Sequence, residues 1–155
     1  MKTPNLVEQA VDEFGREARL EKKSHTWYRR SAEVIAVLNL QKSQYGPQYY
    51  VNQAFWLRQL GDEPYPKEHE CHVRSRLEDI VPEAEGDIQR LLDLEQPVPD
   101  AQRTAGLRQL LGDRLLPVIE RAGSVAGLRS LRDEGALEGA AVAAPAQRVL
   151  DAVSN

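Results

Sequence analysis

The chain has 155 residues, of which 41% are hydrophobic and 28% charged, and a formal net charge of -4. This composition is typical of a globular protein, and the length predicts one domain over residues 1–155. The net negative charge gives no overall attraction to nucleic acid or to anionic lipid. No apolar run reaches the roughly 20 residues of a membrane helix, and the N-terminus lacks the apolar core of a secretory signal. The single cysteine, Cys71, excludes an intrachain disulfide. We therefore expect a cytoplasmic protein without membrane contacts.

The first predicted element is an amphipathic helix. Apolar residues recur at helical spacing from Pro4 to about Ala18, with Thr3 as the expected N-cap and Pro4 at the first helical position. Residues 25–30 (HTWYRR) then predict a first strand, and Ser31-Ala32 allow a tight turn.

Two β-rich runs separated by a Gly-Pro turn dominate the middle of the chain. The runs are Glu33 to Ser43 and Gln48 to Leu57, with the turn at Gln44 to Pro47, and together they predict a β-hairpin. Gly61 to Glu70, which contains two prolines, predicts a loop. Cys71 to Ile80 alternates apolar and polar residues, which predicts a fourth, half-exposed strand.

The last third of the chain has a helical pattern. Residues 81–99 are compatible with a short strand or a helix end, and both alternatives stay open. From Asp100, the expected N-cap, a helical region extends to about Ala122, with interruptions expected near Gly112 and Pro117. Next comes a short helix, which has Ser124 as its N-cap and ends at Asp133. A link at Gly135 to Ala144 follows, and a last helix extends from Pro145 through Val153.

These elements predict an α+β fold. An antiparallel sheet of about four strands would occupy the sheet half, about residues 1–80, and would pack against the N-terminal helix and a helical half at about residues 100–153.

The hairpin turn sets an expected register. If Ser43 faces Gln48, the pairs are Gln41–Tyr50, Asn39–Asn52, Val37–Ala54 and Ile35–Trp56; we also expect Arg30 to face Glu33. One face of the sheet would then carry Thr26, Tyr28, Ile35, Val37, Asn39, Gln41, Tyr50, Asn52 and Trp56. The other face would carry Trp27, Val34, Ala36, Leu38, Leu40, Val51, Phe55 and Leu57. The second face is the more apolar, so it should receive the helices.

Amides inside strands have two interpretations. They either hydrogen-bond each other as part of the scaffold, or they line a contact surface beside aromatic groups. We expect Asn39 and Asn52 to be scaffold and Gln41 and Tyr50 to be surface. The full set of candidate ligand-binding or partner-binding residues is Asn39, Gln41, Tyr50, Asn52, His72, Arg74 and Arg76.

The chain resembles a bacterial family catalogued as domain of unknown function 4304. The resemblance lies in residues 26–30 (TWYRR), 37–43 (VLNLQKS), 49–52 (YYVN) and 71–77 (CHVRSRL), and it extends weakly to residues 115–117. The chain departs from the family pattern at Gln53-Ala54, where members tend to carry smaller or glycine-containing pairs. The family has no established activity, so the resemblance implies the fold and no chemistry.

Metal and nucleophilic chemistry have weak signals. His69 and Cys71 would share one face of a strand and could both reach a zinc ion, but no CxxC or HExxH motif accompanies them. We predict no metal and no cofactor. His72 would point away from Cys71, and no phosphate-binding loop, nucleophile elbow or carboxylate dyad is visible, so catalysis is the weaker class.

Three functions remain open. The first is a non-enzymatic binding protein with a protein partner, such as a toxin-neutralising (immunity-like) protein, because the chain is small, acidic and without catalytic signatures. The second is a single-stranded nucleic-acid-binding module, because basic residues alternate with aromatic ones in the sheet half. Those basic residues are Lys22, Lys23, Arg29, Arg30, Lys42, Arg74 and Arg76. The third is a small-molecule or hydrolytic site in a cleft near Asn39 and Asn52.

Overall fold

A six-stranded antiparallel sheet forms the centre of the protein, in a computed structural model that describes residues 3–152. The strands follow one another in chain order across the sheet: Glu21–Lys23 (β1), Thr26–Arg30 (β2), Val34–Lys42 (β3), Tyr49–Leu57 (β4), Val73–Arg76 (β5) and Ala141–Val142 (β6). The predicted α+β class is confirmed, but the sheet has six strands and not about four. The two unpredicted strands are the short outermost ones, β1 and β6.

The helices are Leu6–Glu17 (α1), Leu77–Ile80 (α2), Glu85–Leu92 (α3), Asp100–Gln109 (α4), Leu116–Arg121 (α5), Val125–Asp133 (α6) and Ala144–Asp151 (α7). A π-helical stretch, Leu110–Leu115, joins α4 to α5, and 3-10 turns lie at Arg58–Leu60, Glu68–Glu70 and Pro82–Ala84. Residue 153, to which the last helix was predicted to extend, lies outside the described residues. None of the helices within residues 3–152 has both the length and the apolar character that a membrane crossing requires.

Several predicted boundaries are wrong for local reasons. The N-cap of α1 is Asn5 and not Thr3, because Asn5 and Glu8 form a reciprocal capping box. Asp100 is the first residue of α4 and not its cap. Residues 77–80 were predicted as strand but form α2, so β5 ends at Arg76. The interruption expected near Gly112 and Pro117 takes the form of the π-helical stretch, because proline has no N–H with which to continue the α-helical hydrogen bonds.

The central hairpin has the predicted register. Ser43 donates its N–H to the carbonyl of Gln48 at 2.8 Å, and the pairs are Gln41–Tyr50, Asn39–Asn52, Val37–Ala54 and Ile35–Trp56. Between β2 and β3, however, Arg30 faces Ile35 and not Glu33. The error is two residues, and because side chains alternate with a period of two, the face assignment is unaffected.

The helix-facing side of the sheet contains the main core. Its strand residues include all those predicted, Trp27, Val34, Ala36, Leu38, Leu40, Val51, Phe55 and Leu57, together with Tyr49 and Val73. Helix α1 packs so closely on this side that a Cβ added to Gly15 would lie 2.5 Å from Cδ1 of Trp27. Only glycine allows that approach. The opposite side, here called the outer face, carries the candidate residues.

Candidate functional site

The outer face of the sheet divides into a covered half and an open half. The covered half is a small cluster of buried residues: Tyr28, Ile35, Val37, Ala54 and Cys71, with Trp56 and Tyr65 packed against it. Tyr65, from the loop between β4 and β5, lies with its ring centroid 5.3 Å from that of Tyr28, in an edge-on arrangement. Lys23 and Arg30 lie over the Tyr65 ring at 4.1 and 4.5 Å, which adds cation–π attraction. The loop therefore covers this half of the face.

His72 belongs to the covered half. Its Nδ1 accepts the backbone N–H of Leu57 at 2.9 Å, and its ring lies 4.3 Å from the ring of Trp56. Burial lowers the pKa of His72, since a charged imidazole would be poorly solvated there. The structure thus separates this candidate from the amides and gives it a structural contact.

Cys71 is buried, and its surroundings keep it protonated. Burial raises the pKa of the Cys71 thiol to about 12, and Sγ lies 3.4 Å from the carbonyl oxygen of Lys67. The expectation that His69 and Cys71 share one face of a strand is wrong, because Glu68–Glu70 is a 3-10 turn, which leaves His69 exposed. Within residues 3–152, no group of three or more His, Cys, Asp or Glu side chains is arranged to hold a metal ion.

The open half of the outer face is a set of polar side chains that we call the polar patch: Thr26, Asn39, Gln41, Tyr50, Asn52 and Arg76. Asn39 pairs with Thr26 and with Asn52, and Asn52 pairs with Arg76, so the patch crosses four neighbouring strands, β2 to β5. The structure therefore brings together five of the seven candidate residues. Arg74 lies on the same face but forms an ion pair with Glu68 at 3.1 Å.

A chain of hydrogen bonds orders the amides of the patch. Nδ2 of Asn39 donates to Oγ1 of Thr26 at 3.1 Å and to the backbone carbonyl of His25 at 3.4 Å. Nδ2 of Asn52 donates to Oδ1 of Asn39 at 3.2 Å and to Oε1 of Gln41 at 3.0 Å. Because a backbone carbonyl can only accept, it fixes the direction of the whole chain.

That direction decides what the patch presents to solvent. Gln41 is exposed and uses its oxygen to accept from Asn52, so its NH₂ group has no partner among residues 3–152. Beside it, the guanidinium of Arg76 lies 4.1 Å from the centroid of the Tyr50 ring. Stacking on an aromatic ring holds the planar guanidinium in place while its N–H groups stay available.

The β3–β4 turn at the edge of the patch is anchored by the segment between α3 and α4. Its Tyr45 side chain is 90% exposed. Below it, the N–H of Leu94 donates to the carbonyl of Pro47 at 3.0 Å, and residues 48 and 93 form an isolated antiparallel bridge. Residues 90–96 are in turn held by the buried guanidinium of Arg103. This side chain donates to four carbonyls, those of Arg90, Leu91, Asp93 and Gln96, at 3.3, 2.5, 3.0 and 2.9 Å.

Two buried polar residues on the helix-facing side were missed by the sequence analysis. Gln53 is fully buried, and its Nε2 donates to the carbonyls of Val37 and Ala54 at 3.3 and 3.1 Å. Ser75 donates to the carbonyl of Gln53 at 2.9 Å. The only signal in the sequence was the departure from the family pattern at Gln53-Ala54.

The fold and the site define an α+β protein whose six-stranded sheet has helices on one side and a partly open polar face on the other. The chain belongs to the family described as "Domain of unknown function (DUF4304)", whose model matches residues 20–121. The resemblance expected from the sequence is thereby confirmed. No curated protein and no solved structure matches the chain significantly.

Proposed function

We propose that this protein is a non-enzymatic, cytoplasmic binding protein that recognises a protein partner through the polar patch. The observation that supports the proposal is the combination of ordered amides, a stacked Arg76–Tyr50 pair and outward-facing donors on an uncovered half of a sheet. Tyrosine and arginine are the residue types enriched at binding hot spots. A fixed patch also binds at a lower entropic cost than a mobile one.

Tyr45, which is 90% exposed in the β3–β4 turn, is a further aromatic side chain available to a partner. A toxin that the protein neutralises is the kind of partner that its small size and acidic composition predict.

The distribution of the basic residues supports a protein partner over single-stranded nucleic acid. Arg29 and Lys42 pair with residues of the helix-facing side, so their side chains leave the sheet opposite the patch. Three others are ion-paired: Lys22 with Asp12, Arg30 with Glu21 and Arg74 with Glu68. Nucleic-acid binding draws its affinity from several phosphate contacts made along one track.

The experiment is affinity capture from cells that contain the gene, with the full chain as bait, followed by calorimetry with the purified partner. We expect Gln41→Ala combined with Tyr50→Ala to abolish binding while the melting temperature stays nearly unchanged. The matched control is Gln102→Ala combined with Gln109→Ala, two exposed positions on α4, which should bind normally. A partner that binds the patch variant as tightly as it binds the unmodified chain would contradict the proposal.

A further inference from the structure

The polar patch presents hydrogen-bond donors in excess. Both protons of the Asn52 amide are directed to Asn39 and Gln41, and the Asn39 amide donates to Thr26 and to a backbone carbonyl. Among residues 3–152, the exposed groups without partners are the NH₂ of Gln41 and the N–H groups of the Arg76 side chain. The Tyr50 hydroxyl, which can donate or accept, and Oδ1 of Asn52, on a residue only 6% exposed, are also unpartnered in that range. A complementary surface should therefore supply mainly acceptors.

Arg76 differs from the other arginines of the outer face. Arg30 lies 3.4 Å from a carboxylate oxygen of Glu21, and Arg74 lies 3.1 Å from one of Glu68. Arg76 is exposed and is held over Tyr50, yet it has no carboxylate within 4.0 Å in the described part of the chain. Its charge opposes the rise in the pKa of the Glu78 carboxyl, but among the described residues it forms no ion pair. Opposite charge on a partner is the complement of such a group.

Spacing allows one ligand group to meet both donors. Gln41 on β3 pairs with Tyr50, whereas Arg76 on β5 pairs with Asn52, so they are two strand spacings apart and offset by two residues, a backbone separation of about 12 Å. The Arg76 guanidinium shortens this gap, because it lies over the ring of Tyr50, the residue that faces Gln41. Both side chains are long enough to lean toward each other over β4. A carboxylate matches the fork of a guanidinium with two parallel hydrogen bonds, and an adjacent carbonyl oxygen can accept from Gln41.

We propose that the partner inserts an Asp or Glu side chain of an acidic segment into the polar patch, where Arg76 binds the carboxylate and Gln41 donates to a neighbouring acceptor. This inference rests on the proposed function and specifies the chemistry of the partner. The net charge of -4 does not attract an acidic partner from a distance, so Arg76 acts at contact. A phosphate backbone is the other source of anionic oxygens. A single unneutralised arginine fits one carboxylate better than a row of phosphates.

The test is a selection of random peptides displayed on phage against the immobilised full chain. We expect the selected peptides to contain Asp or Glu. For one synthesised peptide, replacing the acid with its amide should weaken binding by about tenfold or more, the loss expected when a hydrogen-bonded charge is removed. On the protein, Arg76→Gln should have the same effect, while Arg74→Gln, which makes the same change in net charge, should not.

A second variant, Gln41→Glu, should keep the fold while it replaces a hydrogen-bond donor with an acceptor. Gln41→Glu retains an oxygen for Asn52 but replaces the NH₂ with a second negative oxygen, so it should repel the acidic peptide. Gln109→Glu, on the exposed surface of α4, is its control. If the binding of the selected peptides depends on Tyr50 but not on an Asp or Glu of the peptide, the carboxylate inference is wrong and the proposed function stands. If no selected peptide depends on the patch, both fall. If a single-stranded oligonucleotide binds in an Arg76-dependent way, nucleic acid replaces the acidic protein.

Discussion

Asn39 and Asn52 face each other across the two central strands, and Nδ2 of Asn52 lies 3.2 Å from Oδ1 of Asn39. The same nitrogen is 3.0 Å from Oε1 of Gln41. Asn52 is only 6% exposed, whereas Gln41 is exposed, so the two ends of one hydrogen bond belong to different environments. The hydrogen bond between Asn52 and Gln41 therefore joins a buried residue of the scaffold to an exposed residue of the surface.

We expect Asn52→Ala to lower the free energy of unfolding by about 1–3 kcal/mol, because it removes a buried, hydrogen-bonded amide and leaves the half-buried Oδ1 of Asn39 without its donor. Gln41→Ala should change it by less than about 0.5 kcal/mol, as surface substitutions do. Urea denaturation followed by circular dichroism measures both. An equal loss for the two variants would mean that Gln41 is scaffold and would move the binding surface elsewhere.

Arg103 should matter for stability well beyond its own helix. Arg103→Met would leave four carbonyls of residues 90–96 without their donor, and we expect a loss of about 2–4 kcal/mol. Gln102→Met, its exposed neighbour, is the control. In hydrogen exchange, the Leu94 amide should lose protection in Arg103→Met, because its bond to Pro47 depends on this loop. Unchanged protection there would show that Arg103 does not support the hairpin turn.

Gly15→Ala should destabilise the protein although alanine favours helices. The gain in helix propensity is about 1 kcal/mol, but the new methyl group would meet the Trp27 ring at 2.5 Å, and overpacking costs typically about 1–3 kcal/mol. Gly86→Ala, in α3, is a matched control, since nothing lies within 4 Å of its added Cβ. The control should be neutral or stabilising. A rise in melting temperature for both variants would contradict the close packing of α1 on the sheet.

Glu78 gives a pH-dependent prediction. Burial raises the pKa of its carboxyl, and within the described residues its Oε1 is buried without a hydrogen-bond partner. A raised folded-state pKa means that the carboxyl contributes stability below its unfolded pKa and that this contribution is lost as the pH rises through the folded pKa. We therefore expect Glu78→Gln to be more stable than the unmodified chain at pH 7, by about 1 kcal/mol or less because the group is partly solvated.

The advantage of Glu78→Gln should disappear near pH 3, well below the unfolded pKa, where the carboxyl is protonated in both states. Urea midpoints at the two pH values measure the difference. Glu83→Gln is the contrasting control, because its hydrogen bond with Arg114 lowers the pKa of the Glu83 carboxyl and reverses the sign. An equal advantage for Glu78→Gln at both pH values would show that burial of the charge is not its cause.

The sequence predicted the parts of the molecule that are set by local pattern. The period-two alternation and the turn were sufficient for the β3–β4 register, and hence for the amides of the polar patch. The strands β1 and β6 have three and two residues, too few for any periodicity, and they exist because an adjacent strand offers free backbone groups. The alternation continues through Glu78 and breaks only at Asp79, so the pattern does not mark the change from β5 to α2 at Leu77.

The sequence could not assign roles that depend on distant partners. The guanidinium of buried Arg103 and the amide nitrogen of buried Gln53 donate to backbone carbonyls, which every residue possesses, so no residue type in the sequence predicts the contact. His72 was grouped with the arginines by its place in the chain. Its ring instead lies beside that of Trp56, because the β4–β5 register, continued one residue beyond the Phe55–Val73 pair, places His72 opposite Trp56.

The family match ends at residue 121, but the folded unit does not. Leu128, Leu131, Leu137, Ala146 and Leu150 complete the main core from beyond that boundary, and Val7, Val11 and Phe14 complete it from before residue 20. Strand β6 also pairs with β5, whose backbone would otherwise be an open edge that invites intermolecular pairing. The region that defines the family is thus shorter than the region that must be expressed together, and a protein cut to residues 20–121 would be expected to aggregate.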